Sequence, residues 1–298
     1  MKKSFIKNLW VSVFFFLYIC GCAGKETQTL LAEGQLIQPG QPIQPVLPVQ
    51  ANDRQKAQDY SRNREKLSRV LVKAQIPAGM ARRIETAGVT GEEPGVFLSQ
   101  LFRILENNDP YLRILVDKSH PLPENYEPDD LIELRYKSYR AGITDVMLLR
   151  RRAEEALEEM AAAAKSSGFT LTVSSAYRSY QYQIGSFERW TARLGPARAE
   201  IASARPGRSQ HQLGLAVDFG SITNNFAETP IGKWVAANAG RFGFSLSYPR
   251  GYEELTGYGW ESWHYRYVGR DLYEFIETWF NSIQQHALRF IHEWEADN

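Results

Sequence analysis

The chain has 298 residues, of which 43% are hydrophobic and 23% charged, a globular composition that excludes wholesale disorder, a collagen repeat and a coiled coil. Its 35 basic and 34 acidic residues nearly cancel, so no overall field attracts the chain to nucleic acid. The only cysteines, Cys20 and Cys22, lie near the N-terminus, which excludes a disulfide framework and a cysteine-rich zinc site. Any bound metal must therefore be held by histidine and carboxylate side chains.

Residues 1–21 have the features of an export signal. Three lysines precede an apolar run at Leu9–Ile19, which is shorter than the ~20 residues that span a bilayer and is typical of a signal-peptide h-region. The run ends in Ile-Cys-Gly-Cys, which resembles the lipobox of bacterial lipoproteins. The resemblance implies cleavage before Cys22 and lipidation of its thiol. We therefore expect an exported lipoprotein, membrane-anchored and facing the periplasm or cell wall; an ordinary cleaved signal and an uncleaved anchor are the alternatives.

Residues 22–58 are predicted to form a tether. Proline and glutamine recur between Gln35 and Gln50, and repeated proline blocks helix formation and favours extended polyproline II. At ~3.1 Å per residue, about thirty such residues could reach roughly 90 Å. We expect this segment to space a folded domain from a membrane, or to be plain disordered filler, and to carry no chemistry in either case.

Residues 59–110 predict a helical region. Apolar side chains recur at helical spacing within Leu67–Ala74 and again within Phe97–Leu105. Pro77 interrupts the pattern. The region is expected to be either a small helical cap or a separate interaction module, without chemistry of its own.

Residues 111–298 predict a second part in which strands and helices are mixed without the regular alternation of a parallel sheet. The predicted elements, in chain order, are a strand at Leu112–Val116, a helix at Thr144–Ser167, a strand at Phe169–Ser174, a helix at Ser179–Leu194, strands at Leu213–Phe219 and His264–Val268, and a final helix at Arg270–Glu295. This order favours an α+β fold with a central antiparallel sheet flanked by helices.

Four residues of the second part carry the chemistry. His211 and Asp218 are seven positions apart, and Glu261 precedes His264 by three. Two histidines and an aspartate are a suitable ligand set for a catalytic zinc, whose fourth position is left to water. The remaining carboxylate could act as a general base. Spacing alone does not decide the matter, because such pairs also arise as capping or surface residues.

The wider pattern resembles a known family. Ser-x-His-x-x-Gly-x-Ala-x-Asp at 209–218, followed by Glu-x-Trp-His at 261–264, looks like the signature of zinc D-alanyl-D-alanine carboxypeptidases of the VanY type. Ser-Ser-Ala-Tyr-Arg-Ser-Tyr at 174–180 resembles the family's Gly-Tyr-Arg-Ser segment, with Ala176 where glycine is usual. The resemblance covers roughly residues 113–273. It implies the fold shared by lysostaphin-like peptidases, D-Ala-D-Ala peptidases and the hedgehog signalling domain.

The resemblance also implies the roles of the central residues. His211, Asp218 and His264 are expected to bind Zn2+, and Glu261 is expected to act as the catalytic base that takes the proton of a metal-bound water. Arg178 is expected to contact the substrate and to steady the developing oxyanion or the terminal carboxylate. A fixed cation suits that place, because charge grows on the carbonyl oxygen in the transition state.

Two further residues and the substrate follow from the same resemblance. Ser209 and Gln183 are expected to hydrogen-bond the peptide end. The expected reaction is removal of a terminal D-alanine from peptidoglycan stem peptides. An L,D-carboxypeptidase or an endopeptidase on the same cell-wall peptides is the alternative within the family, and a non-catalytic envelope-binding lipoprotein is the alternative from another class.

Overall fold

The computed structural model describes residues 51–90, 93–135 and 146–297. The predicted signal peptide, Cys22 and most of the predicted tether lie outside the described residues. Helix α1 begins at Ala51, before the predicted end of the tether at residue 58. None of the described helices combines the length and the apolarity that crossing a membrane requires.

The described chain contains short strands and mostly short helices. The helices are α1 Ala51–Lys73, α2 Ala78–Gly88, α3 Val96–Leu105, α4 Arg151–Ser166, α5 Tyr180–Leu194, α6 Pro196–Ala202, α7 Pro230–Asn238, α8 Glu253–Thr256, α9 Arg270–Trp279 and α10 Gln284–Ala296. The strands are β1 Val89–Thr90, β2 Glu93–Pro94, β3 Leu131–Glu133, β4 Leu148–Arg150, β5 Val173–Ser175, β6 Ala216–Phe219, β7 Phe244–Leu246 and β8 His264–Tyr267.

The central sheet has four strands in the order β5-β6-β8-β7, and every neighbouring pair is antiparallel. This confirms the predicted α+β class with an antiparallel sheet. Asp218 on β6 lies directly opposite His264 on β8 and also pairs with Ser175 on β5. Because opposed residues in an antiparallel pair have Cβ atoms about 5 Å apart, the register itself brings Asp218 and His264 together.

Two apolar cores hold the described chain together. The first joins the central sheet to α4 and to the helices that follow β6. The second joins the helical region α1–α3 to α9 and α10. Phe97 on α3 is fully buried at its centre and contacts the rings of Phe275, Phe280 and Phe290. The helical region therefore packs as a cap on the C-terminal helices, and the described residues fall within one compact unit.

The predicted strand at Leu112–Val116 is wrong. Pro110–Arg113 form a 3-10 turn, with Pro110 at its start. The carbonyls of Tyr111 and Leu112 accept hydrogen bonds from the buried guanidinium of Arg266. The apolar side chains do face the core, but a side chain rather than a neighbouring strand satisfies this stretch of backbone.

Two predicted helices have the wrong limits. The helix predicted at Thr144–Ser167 begins only at Arg151, because Leu148–Arg150 pair with β3 as strand β4. Leu149 fits a helical face by its spacing, but strand pairing buries it completely. The final helix predicted at Arg270–Glu295 is two helices, because Asn281 and Ser282 take left-handed φ values of 52° and 64° between them.

The remaining predicted elements are present, with shorter strands. Helix α5 begins at Tyr180, and Ser179 caps it by accepting a hydrogen bond from the amide of Tyr182. Strands β5, β6 and β8 lie within or beside the predicted segments. Sequence reasoning missed β7 and α7, although Thr229-Pro230 is a typical helix start, with a capping hydroxyl and proline at the first helical position.

Candidate active site

Three buried side chains meet at one end of the central sheet. His211 comes from the 3-10 turn Gln210–Leu213, Asp218 from β6 and His264 from the start of β8. Asp218 Oδ1 lies 3.3 Å from His211 Nε2 and 3.0 Å from His264 Nδ1. Gly214 permits the turn between His211 and Asp218, because its φ is +69°. A Cβ at this position would also lie only 2.9 Å from the side chains of Arg150 and Leu131.

The hydrogen bonds fix the tautomer of His211 and favour one tautomer of His264. His211 Nδ1 donates to the carbonyl of Ala176 at 2.6 Å, which leaves Nε2 unprotonated. His264 Nε2 lies 3.3 Å from Gln210 Oε1, and in the tautomer that donates to this oxygen Nδ1 is unprotonated. Burial lowers the pKa of His211 to about 4, so its ring is neutral at physiological pH.

Three electron pairs therefore point at one another. They belong to His211 Nε2, His264 Nδ1 and Asp218 Oδ1, and the last of these is buried without a hydrogen-bond donor. A cation among the three atoms would relieve the repulsion between these lone pairs. Two imidazole nitrogens and one carboxylate oxygen are ligands that metal sites use. Each ring is also held by a hydrogen bond at its other nitrogen, as is usual for histidines that bind a metal. In the described part of the chain, this is the cluster that could hold a metal ion.

Arg178 lies beside the cluster, on the turn between β5 and α5. Its Nη2 donates to Asp218 Oδ2 at 2.7 Å and to His211 Nε2 at 2.9 Å, while its Nε donates to Ser175 Oγ. Burial acts to raise the pKa of Asp218, but the charges and hydrogen bonds around it, including the donation from Arg178, hold that pKa well below 3.8. The single lone pair of His211 Nε2 cannot serve both Arg178 and a metal, so metal binding requires Arg178 to give up this hydrogen bond.

Glu261 is the remaining carboxylate of the site. It precedes β8, and its Oε2 lies 3.6 Å from His264 Nδ1. Burial raises its pKa to about 8, the negative charge of Asp218 adds to this effect, and Arg178 opposes it. A carboxyl group with a pKa near neutral can take up and release a proton during turnover, which is what a general base and acid requires.

A cavity of about 430 Å³ opens onto these groups. Of the predicted substrate contacts, Arg178 and Ser209 line it. The Ser209 hydroxyl also accepts a hydrogen bond from the amide of His211. Gln183 lies behind the wall: its side chain is fully buried and donates to the carbonyl of Ala204 at 2.7 Å. Gln183 therefore supports the cavity wall from behind, and this position does not match its predicted direct contact with the peptide end.

Sequence reasoning missed Gln210, which fixes the ring of His264. The residue lies between two motif positions, and its neighbours Ser209 and His211 face the cavity. Its own side chain turns into the protein, where it is 2% exposed. No spacing rule distinguishes it, because its partner His264 is 54 positions away.

Comparison with known proteins identifies the family of this chain. Residues 146–270 match the family model of VanY, D-alanyl-D-alanine carboxypeptidase. VanXYC of Enterococcus gallinarum, a bifunctional D-Ala-D-Ala dipeptidase and D-Ala-D-Ala carboxypeptidase, is 30% identical over 163 residues, which are 52% of this chain and 82% of VanXYC. The chain belongs to the VanY family. YodJ of Bacillus subtilis (strain 168) is 39% identical over 169 residues, 55% of this chain. The alignment spans 62% of YodJ's length, less than two thirds.

A solved structure agrees with the VanY fold. The structure of the LdcB LD-carboxypeptidase matches with a TM-score of 0.55 and 35% identity, covering 61% of this chain and 87% of that one. The VanY segment, residues 146–270, contains every side chain of the cluster together with Arg178 and Glu261. The helical region and α10 lie outside it.

Proposed function

We propose that this chain is a zinc-dependent D-alanyl-D-alanine carboxypeptidase that removes the terminal D-alanine from peptidoglycan stem peptides. The observation that carries the proposal is the convergence of unprotonated ligand atoms from His211, Asp218 and His264 beside Glu261, at the base of an open cavity. Membership of the VanY family supports the substrate class.

The donor set fits zinc. Two neutral imidazole nitrogens and one carboxylate oxygen are ligands of catalytic zinc sites, which leave a further position open. Asp218 Oδ1, buried without a donor, is the atom that most needs a cation. A zinc ion held there supplies Lewis acidity, which polarises a carbonyl group and makes water more acidic.

The protein's own groups complete the reaction. Glu261 takes a proton from the attacking water, whose oxygen bonds to the carbonyl carbon of the scissile amide. The C–N bond then breaks, and Glu261 returns the proton to the nitrogen of the departing D-alanine. Once the hydrogen bond from Arg178 to His211 is broken, the guanidinium of Arg178 can face the negative charge that develops on the carbonyl oxygen. It can alternatively face the terminal carboxylate of the substrate.

A digest of purified muropeptides by the full-length chain, read by mass spectrometry, tests the proposal. We expect loss of one alanine from pentapeptide stems, blocked by a chelator and restored by zinc. Loss of alanine from tetrapeptides alone would contradict the proposal and favour an L,D-carboxypeptidase, the class to which the name of the structurally similar LdcB assigns it. No product from any stem or cross-link would favour a protein that only binds the envelope.

We further propose that Cys22 is the lipidated N-terminus of the mature protein and anchors it to a membrane, facing the periplasm or cell wall. The apolar run and the Ile-Cys-Gly-Cys sequence support this proposal. A bacterium that expresses the full chain and is fed labelled palmitate should label it. We expect Cys22→Ala to abolish the label and the matched change Cys20→Ala to retain it; equal labelling of both variants would contradict the anchor at Cys22.

A further inference from the structure

A buried chain of hydrogen bonds connects His264 to the C-terminal helix. Gln210 Oε1 accepts from His264 Nε2 at 3.3 Å and from the hydroxyl of Ser247 at 2.7 Å. Gln210 Nε2 donates to Gln284 Oε1 at 3.2 Å, and Gln284 Nε2 donates to the carbonyl of Ser245 at 3.3 Å. All five residues are at most 4% exposed, so water does not compete for these bonds.

The chain has a fixed direction. The backbone carbonyl of Ser245 can only accept, so it requires the amide nitrogen of Gln284 and turns the oxygen of Gln284 toward Gln210. That oxygen accepts from the amide nitrogen of Gln210 at 3.2 Å and, at 3.5 Å, from the hydroxyl of Ser247, so the oxygen of Gln210 faces His264. Reversing either amide would place oxygen against oxygen, and each buried polar group left unsatisfied costs about 1–3 kcal/mol.

The direction matters because His264 has a competing tautomer. If its proton moved to Nδ1, that nitrogen could donate to Asp218 Oδ1, which is only 3.0 Å away. The ring would then have no lone pair for a metal on the side that faces His211 and Asp218. For Nδ1 to bind a metal, a hydrogen-bond acceptor must hold the proton of His264 on Nε2. Gln210 Oε1 is the acceptor that faces Nε2.

We infer that Gln284 is a positioning residue of the metal site: through the amide of Gln210 it holds the proton of His264 on Nε2 and leaves Nδ1 for the metal. This inference rests on the proposed zinc site. Gln284 stands in the first turn of α10, outside the VanY segment at 146–270. The C-terminal helix thus takes part in building a site whose ligands it does not supply.

The first test is zinc affinity, measured on the full-length chain by competition with a chelator. Gln284→Met keeps the size of the side chain but removes both hydrogen bonds. We expect roughly tenfold weaker zinc binding, within the range seen when an outer partner of a ligating histidine is lost. The control is Gln285→Met, the buried neighbour whose amide donates to Asp117 instead. Equal affinity of Gln284→Met and the unsubstituted chain, or an equal loss in the control, would overturn the inference.

A second test reads the tautomer directly, by 15N NMR of the metal-free, histidine-labelled full chain at about pH 8, where histidine is neutral. We expect His264 to carry its proton on Nε2 in the unsubstituted chain and on Nδ1 in Gln284→Met. The double variant Gln210→Glu, Gln284→Met should return it to Nε2, because either carboxylate oxygen can accept. A proton on Nδ1 in the unsubstituted chain would overturn the inference whether or not Gln284→Met folds. A chain that binds no zinc but shows these tautomers would refute the proposed zinc function alone.

Discussion

Glu261→Gln is expected to lower kcat/KM on a D-alanine-terminated pentapeptide by roughly 10²–10⁴-fold, the contribution typical of a general acid–base. The amide has the size of the carboxyl group but cannot take a proton from water and return it to the leaving amine. Zinc should remain bound, because the ligand cluster is His211, Asp218 and His264. Steady-state kinetics together with the zinc content of the purified chain measure both quantities.

Folding should not be compromised in this variant. Burial raises the pKa of Glu261 to about 8, so the metal-free protein at neutral pH carries this group largely protonated, and glutamine resembles that neutral form. The control is Glu254→Gln, an exposed position on α8, which should retain full activity. Activity of Glu261→Gln close to that of the unsubstituted chain would remove Glu261 from the mechanism, and loss of zinc would make it a ligand instead of a base.

The parts of the site that the sequence could predict are the positions of the motif that resembles a known family, because spacing alone left the metal site undecided. Asp218 follows His211 by seven residues, across a turn that Gly214 permits, and strand pairing supplies His264. The antiparallel sheet could be predicted, since alternation and chain order already limit the pairing. The motif specifies the local turn between His211 and Asp218, and the pairing of β6 with β8 brings His264 to them.

Other features depend on contacts that no local pattern contains. Leu149 has helical spacing but lies in a strand because β3 is available to pair with it. Gln183 and Gln210 have similar polar side chains near the motif, and both are turned into the protein by partners far away in the sequence, Ala204 and His264. The orientation of a buried amide is set by whichever donor or acceptor the fold brings to it, so it could be known only from the structure.

Asp218→Asn is expected to weaken zinc binding by more than the roughly 10–100-fold that follows loss of an outer partner, because a direct ligand and its charge are lost together. The amide offers one neutral oxygen in place of a carboxylate, and Arg178 loses the anion to which it donates at 2.7 Å. Activity should fall in parallel. In the unsubstituted chain, zinc should raise the melting temperature, since a ligand that binds only the folded state stabilises it.

The zinc-dependent rise in melting temperature distinguishes a lost ligand from a merely weakened fold. Asp117→Asn is the matched control: this aspartate is also buried, and it is paired with His120 rather than with the cluster. Without metal, Asp117→Asn should melt at a lower temperature than the unsubstituted chain, because it loses a buried, hydrogen-bonded carboxylate. Only Asp117→Asn should still be stabilised by zinc. If zinc stabilises Asp218→Asn as strongly as the control, the metal binds elsewhere. The cation that balances the lone pairs of the cluster would then be the guanidinium of Arg178, which donates to both His211 and Asp218.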